Sequence, residues 1–151
     1  MKHKKVILSS IVLLFVAITG LCLYANLAFS NTIFRYGDLN YWLFTDKEFR
    51  NFPIIGSEPK AVSYQSSFQD GTKPGMLILT YDTHLNPSEA IKAYQAVCHE
   101  LNYIPKLTAH AANGILVYSG KGRYEQIEII VEKNPENGSR IIINFIMKLN
   151  N

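Results

Sequence analysis

Cys98 and His99 put a thiol beside an imidazole, the two groups from which a nucleophile and its base are built. Both lie in a segment with helical spacing of apolar residues. Consecutive helix positions point about 100° apart, so the two do not face each other. Cys98 falls on the apolar stripe, where a thiol behaves as a small hydrophobe and lacks the electropositive setting that activates it. A structural cysteine is expected. His84, His99 and His110 are not paired at ligand spacing, and the chain has neither HExxH nor CxxC. They read as surface groups, and no metal or cofactor is expected.

Other pattern matches fail on their own chemistry. Ser57-Glu58-Pro59-Lys60 has the S-x-x-K form, but Pro59 disfavours the helix that motif needs, and its S-D-N and K-T-G companions are absent. Gly120-Lys121-Gly122-Arg123 would be a phosphate loop only with Gly at 115 and Ser or Thr at 122. Ile115 and Gly122 stand there, so a hairpin turn with two solvated cations is expected. Asn137-Gly138-Ser139 is a glycosylation sequon in a segment that favours Asn-Gly as a turn. Asp82, His84 and Glu89 meet at a strand-to-helix junction and form the best candidate for a scattered catalytic site. Helix capping accounts for the same residues.

The elements that would carry these groups are legible from residue 57 onward. Residues 61–68 and 76–81 alternate as strands, joined through Asp70-Gly71 and Pro74-Gly75. Asn86-Pro87-Ser88-Glu89 opens a helix, with Asn86 as N-cap, Pro87 at the first position and Glu89 at the third. Ala90, Ile91, Tyr94, Val97, Cys98 and Leu101 follow as one stripe. Asn102 in a left-handed cap, with Tyr103 folding back, ends it before Pro105. Residues 115–119, 124–132 and 140–148 are strands. In the last, Ile141, Ile143, Phe145 and Met147 share a face, which puts Ile142 and Ile146 on the other; Ile130 likewise opposes Ile127 and Ile129. The order β-β-α-β-β-β predicts an α+β fold, one antiparallel-rich sheet with a helix on one face.

Residues 31–56 are less regular and rich in aromatics: Phe34, Tyr36, Tyr41, Trp42, Phe44, Phe49 and Phe52. Thr45-Asp46-Lys47-Glu48 fits a capping box with Thr45 as N-cap and Phe44 and Phe49 as a staple, predicting a short helix over 46–51. Three isoleucines, Ile130, Ile142 and Ile146, are too many for a fully solvated face. The expectation is that residues 31–52 fold back over them; failing that, they and Trp42 are the candidate partner surface.

Charge and composition narrow the function classes. The 151 residues are 48% hydrophobic and 18% charged, with a net charge of +3 supplied by Lys2, Lys4 and Lys5. From residue 31 onward there are 12 basic and 12 acidic residues. This excludes a phosphate-neutralising nucleic-acid reader, an acidic tail and, with two cysteines, a disulfide miniprotein. After the basic tip, residues 6–34 contain no Asp, Glu, Lys or Arg. The apolar run to Phe29 would form about 36 Å of helix against a hydrocarbon core of about 30 Å. The basic tip should stay cytoplasmic, placing the rest on the outer side of the cytoplasmic membrane as a single-pass protein. The alternative is secretion after cleavage near Ser30, where Ala28-Phe29-Ser30 offers small residues. Thr19-Gly20-Leu21 before Cys22 is a poor lipobox, and lipidation is rejected. The expected layout is an anchor over 1–29, an aromatic membrane-proximal segment over 30–56 and an extracytoplasmic domain over 57–151.

Phe52-Pro53-Ile54-Ile55-Gly56, Leu79-Thr80-Tyr81-Asp82-Thr83, Asn86-Pro87-Ser88-Glu89-Ala90 with Tyr94, and Leu101-Asn102-Tyr103 together resemble a broad group of small bacterial envelope proteins and lipoproteins of unassigned function. Their pattern is a strand, T-x-D-S-P-E-E, a helix with F-Y, and L-x-x-x-G-W. Here Asn102 and Tyr103 replace the glycine and tryptophan, and Ala93-Tyr94 replaces Phe-Tyr. The resemblance covers about 50 residues and implies the fold and the bacterial envelope; it carries no catalytic residue. The functional expectation is a non-catalytic binding or accessory protein whose partner is another envelope protein, with no nucleic acid and no small-molecule substrate. The alternatives are an immunity protein against an extracytoplasmic toxin, a small enzyme with its site near Asp82, His84 and Glu89, and a structural subunit self-associating through a sheet edge.

Overall fold

A computed structural model describes residues 2–28, 32–67, 75–106, 114–136 and 138–149, without the side chains of 2–9, 24–28 and 32. Helix α1 spans Lys2–Ala28. Strand β1 (Thr32–Arg35), helices α2 (Leu39–Phe44) and α3 (Lys47–Arg50), and a 3-10 turn at Pro59–Ala61 lead to β2 (Ser63–Ser67) and β3 (Met76–Thr83). Helix α4 (Pro87–Glu100) and strands β4 (Ile115–Ser119), β5 (Tyr124–Lys133) and β6 (Ser139–Met147) complete the order. The strands form one antiparallel sheet in the order β1-β2-β3-β6-β5-β4. Two meanders meet at β3 and β6, and α4 carries the chain from β3, at that seam, to β4 at the far edge of the sheet.

The α+β class and the single antiparallel sheet are as the sequence predicts. Strand β1 and helix α2 are additions. Among the side chains described, which in α1 are those of 10–23, no helix is long and apolar enough to cross a membrane. The expected spanning run reaches beyond those side chains at both ends.

Alternation sorts the sheet into two faces. On one, Phe34, Tyr64, Leu79, Ile143, Ile129 and Leu116 form a row across all six strands. Leu77, Phe145, Ile127 and Tyr118 form a parallel row, and every one of these side chains is buried. Helix α4 covers this face with Ala90, Tyr94 and Cys98, spaced one turn apart. An irregularity between Tyr124 and Gln126 reverses the alternation there. It turns Tyr124 into the core against Phe145, where strict period-two counting would group it with Gln126.

The ends of α4 are built as expected. Asn86 Oδ1 accepts from the Glu89 N–H at 3.0 Å, and Glu89 Oε2 accepts from the Asn86 N–H at 3.1 Å. At the other end Asn102 has φ 56°, and the Tyr103 N–H donates to the Cys98 carbonyl at 2.8 Å. The Asn102 N–H donates to that of His99 at 2.9 Å, completing a Schellman motif. Asn86→Ala is expected to lower the unfolding free energy by about 1 kcal/mol, read as a shift in denaturation midpoint. An unmoved midpoint would mean that the cap does not hold the helix.

The aromatic segment corrects two expectations. Asp46, and not Thr45, is the N-cap of α3: its carboxylate accepts from the Phe49 N–H at 2.9 Å. Thr45 instead ends α2, its hydroxyl donating to the Tyr41 carbonyl. Moving the cap by one also removes Phe44 from the staple position. The second correction concerns where this segment goes. Phe49 and Phe52 stand edge-on to Phe145, with centroids 5.1 and 5.2 Å away. Tyr41 meets Phe34 and Tyr64. These partners all lie on the α4 face, so residues 34–52 extend the cover of that face and do not cover Ile130, Ile142 and Ile146.

Hydroxyls then tie the following loop to the core. The Ile55 N–H donates to Tyr81 Oη at 3.0 Å, Tyr81 and Tyr94 share a hydroxyl–hydroxyl bond, and Tyr94 Oη donates to the Pro53 carbonyl at 3.4 Å. Each phenol thus accepts one bond and donates one, which satisfies groups that burial would otherwise penalise. Burial pushes the Tyr94 phenol far above the usual range.

Candidate docking face

The second face of the sheet is the one the isoleucines occupy. Ile115, Ile130, Ile142 and Thr80 form one row across β4, β5, β6 and β3. Met76 stands opposite Ile146 four residues along. Helices α2, α3 and α4 all pack on the other face, and the α1 side chains at 10–23 are exposed, so none of the described helices lies over these residues. Ile130, Ile142 and Ile146 are each half-buried, with apolar neighbours across the strands.

Between these rows runs one that is polar only at its centre, Glu128 and Asn144, with Val117 and Ile78 at its ends. Its carboxylate is already engaged. Glu128 Oε1 accepts from Gln126 Nε2 at 2.6 Å, Glu128 Oε2 accepts from Asn144 Nδ2 at 3.3 Å, and Gln126 Oε1 accepts from Lys106 Nζ at 2.8 Å. A charge with both oxygens hydrogen-bonded costs less to remove from water than a bare one. The face can therefore be desolvated by a partner without stranding Glu128.

Trp42 does not belong to it. It lies on α2, on the other side of the sheet, 52% exposed with the Arg50 guanidinium 5.1 Å from its ring centroid. The four residues offered together from the sequence are thus two separate surfaces.

The candidate catalytic cluster resolves into structural contacts. Asp82 stands opposite Arg140 in the β3–β6 register and pairs with it at 3.0 Å, both side chains being about half exposed. Glu89 is held by the capping box. His84 is exposed, in a junction where two glycines let backbones approach. A Cβ on Gly138 would collide with the Thr83 carbonyl oxygen, and one on Gly56 with the Thr83 hydroxyl. The clefts of about 450 and 410 Å³ lie elsewhere, flanking α3, and none of these three residues lines them. His99 is exposed, Ser57 precedes the 3-10 turn and begins no helix, and His110 and Asn137 lie outside the described residues. Among the described residues no group of three His, Cys, Asp or Glu could hold a metal ion.

The cations of the β4–β5 turn are not simply solvated, as the sequence suggested. Lys121 lies over the Tyr103 ring at 4.6 Å and donates to the Leu101 carbonyl. Arg123 pairs with Asp46 at 2.7 Å. Together they fasten the turn to the end of α4 and to α3, while Tyr103 Oη donates to Glu48 Oε1 at 2.8 Å.

Cys98 is 1% exposed, and burial pushes its thiol up to about 11 against a weaker opposing pull from the Tyr118 hydroxyl. Raising the pKa disfavours the thiolate, by roughly a hundred-fold at neutral pH relative to a thiol at 9. In a Cys22→Ser background, maleimide labelling of the folded protein is expected to be slow and to accelerate on unfolding. Rapid labelling of the folded protein would restore the nucleophile reading.

What these observations define is a class: a one-sheet α+β domain with one face roofed by helices and the other lying under none of the described helices. No family model, curated protein or solved structure was found to match this chain.

Proposed function

We propose that this is a membrane-anchored protein whose outer domain acts by binding, without catalysis, and that its partner is another envelope protein docking on the open sheet face. The observation that carries the reading is the Ile115–Ile130–Ile142 row, apolar, running from the edge strand β4 inward to β6 and covered by none of the described helices. An uncovered apolar area on a sheet is a place where a second surface gains by burial. The engagement of Asp82 and Glu89 in an ion pair and a capping box supports binding over catalysis.

Anchoring rests on the uncharged run at 6–34 behind Lys2, Lys4 and Lys5. The exposure of Ile11, Leu13, Phe15 and Leu21 along α1, between 58 and 74%, agrees with a helix that meets lipid. The test is co-purification from gently solubilised membranes, comparing the full chain with its Ile142→Lys variant. A protein recovered with the first and lost with the second supports the reading. Recovery of the same proteins with both removes the sheet face as the docking site.

A further inference from the structure

Helix α2 has two unlike sides. Tyr41 turns inward and is buried. Leu39, Trp42 and Leu43, at spacing i, i+3 and i+4, form a stripe that is 64, 52 and 54% exposed, with Tyr36 just before it at 46%. Outside α1 the described chain exposes eight large hydrophobics, and these are four of them. Single exposed apolar residues are ordinary; four within residues 36–43 are not.

The rim of the stripe is cationic. Lys47 and Arg50 line a cleft with Tyr36 and Trp42. The carboxylates nearby are engaged: Asp46 with Arg123 and the Phe49 N–H, Glu48 with the Tyr103 hydroxyl, Asp38 with the Arg35 N–H at 2.7 Å. An apolar helix side bearing Trp, bordered by cations, is the make-up of a segment lying in a bilayer interface.

We propose that Leu39, Trp42 and Leu43 insert into the headgroup–acyl boundary of an anionic bilayer, with Lys47 and Arg50 against lipid phosphates. The inference rests on the reading that α1 holds the chain in that bilayer. Leu39 follows Ala28 by 11 residues, which keeps α2 within about 40 Å of the end of α1 even at full extension. Three apolar side chains on so short a helix would hold a free domain poorly. A tethered domain needs far less, because its second contact is intramolecular. The contact would fix how the domain stands on the membrane.

Trp42 is the sole tryptophan, so its fluorescence reads the site directly. The full chain is reconstituted into phosphatidylcholine–phosphatidylglycerol vesicles, with and without bromine near the top of the acyl chains. The expected result is a blue-shifted emission that loses most of its intensity in brominated vesicles. A Leu39→Ser/Leu43→Ser variant, which keeps Trp42 and α1, should lose that quenching. Chain that floats with the vesicles but shows no bromine quenching overturns this inference and leaves the anchor standing. Shielding of Trp42 from acrylamide without bromine quenching also overturns it, because a protein surface then covers the stripe. Quenching that persists in the double variant would overturn it too, since proximity of the tether alone would explain the signal. Chain that does not float at all overturns the anchor and the inference together.

Discussion

Phe145→Ala is expected to lower the unfolding free energy of the domain by about 3–5 kcal/mol, with the upper half of that range favoured. The ring is fully buried and meets Phe49, Phe52 and Tyr124 with centroids 5.1–5.2 Å away, each in an edge-on arrangement. Each such pair contributes about 0.5–1.5 kcal/mol beyond the area it buries. Removing one ring therefore takes away at once the contacts of β6 with α3, with the segment after it and with the bulged start of β5, leaving α3 the Phe49–Tyr64 contact with β2. Denaturant unfolding of the full chain in mild detergent measures it. A loss below about 1 kcal/mol would mean that α3 and Phe52 do not pack on β6 as described.

Ile142→Lys should do the opposite: leave the domain folded and remove the partner. Ile142 sits between Ile130 and Thr80 on the open face, so a lysine there keeps its ammonium in water and changes stability by no more than about 1 kcal/mol. In a complex the same lysine forfeits about 1.5–3 kcal/mol of isoleucine burial and adds the cost of desolvating a charge. The combined loss of roughly 3 kcal/mol or more corresponds to at least about a hundred-fold weaker binding. An unfolded variant would instead show that the face is covered from within the chain.

The parts of this fold that a sequence can announce are those held by local chemistry. Asn86, Pro87 and Glu89 define the start of α4 because a capping box is made within four residues, and Asn102 marks its end because a left-handed cap is likewise local. Strands β5 and β6 are legible because one face is buried and the other is not. Strand β1 and helix α2 are not legible: residues 32–44 hold apolar and aromatic residues at no single period, and the stacking of Phe34 on Tyr64 depends on a strand about thirty residues away. Thr45 and Asp46 are both good caps, and only the packing of Tyr41 and Phe49 decides between them.

The docking face was half legible for a related reason. Alternation requires Ile130, Ile142 and Ile146 to share the side away from α4, and the register places Ile130 and Ile142 opposite each other there, four residues from Ile146. It does not say which side the aromatic segment covers. Phe49 and Phe52 settle that by meeting Phe145, which leaves the isoleucines open and sends Trp42 to a different surface.

The most direct test of the central claim is site-specific photocrosslinking from position 142 of the full chain in its native membrane. Lys92, exposed on α4 at the other face of the sheet, serves as the control position. The account predicts a discrete adduct with one other envelope protein from position 142 and none of the same mass from position 92. No adduct from position 142, or the same adducts from both positions, would contradict it.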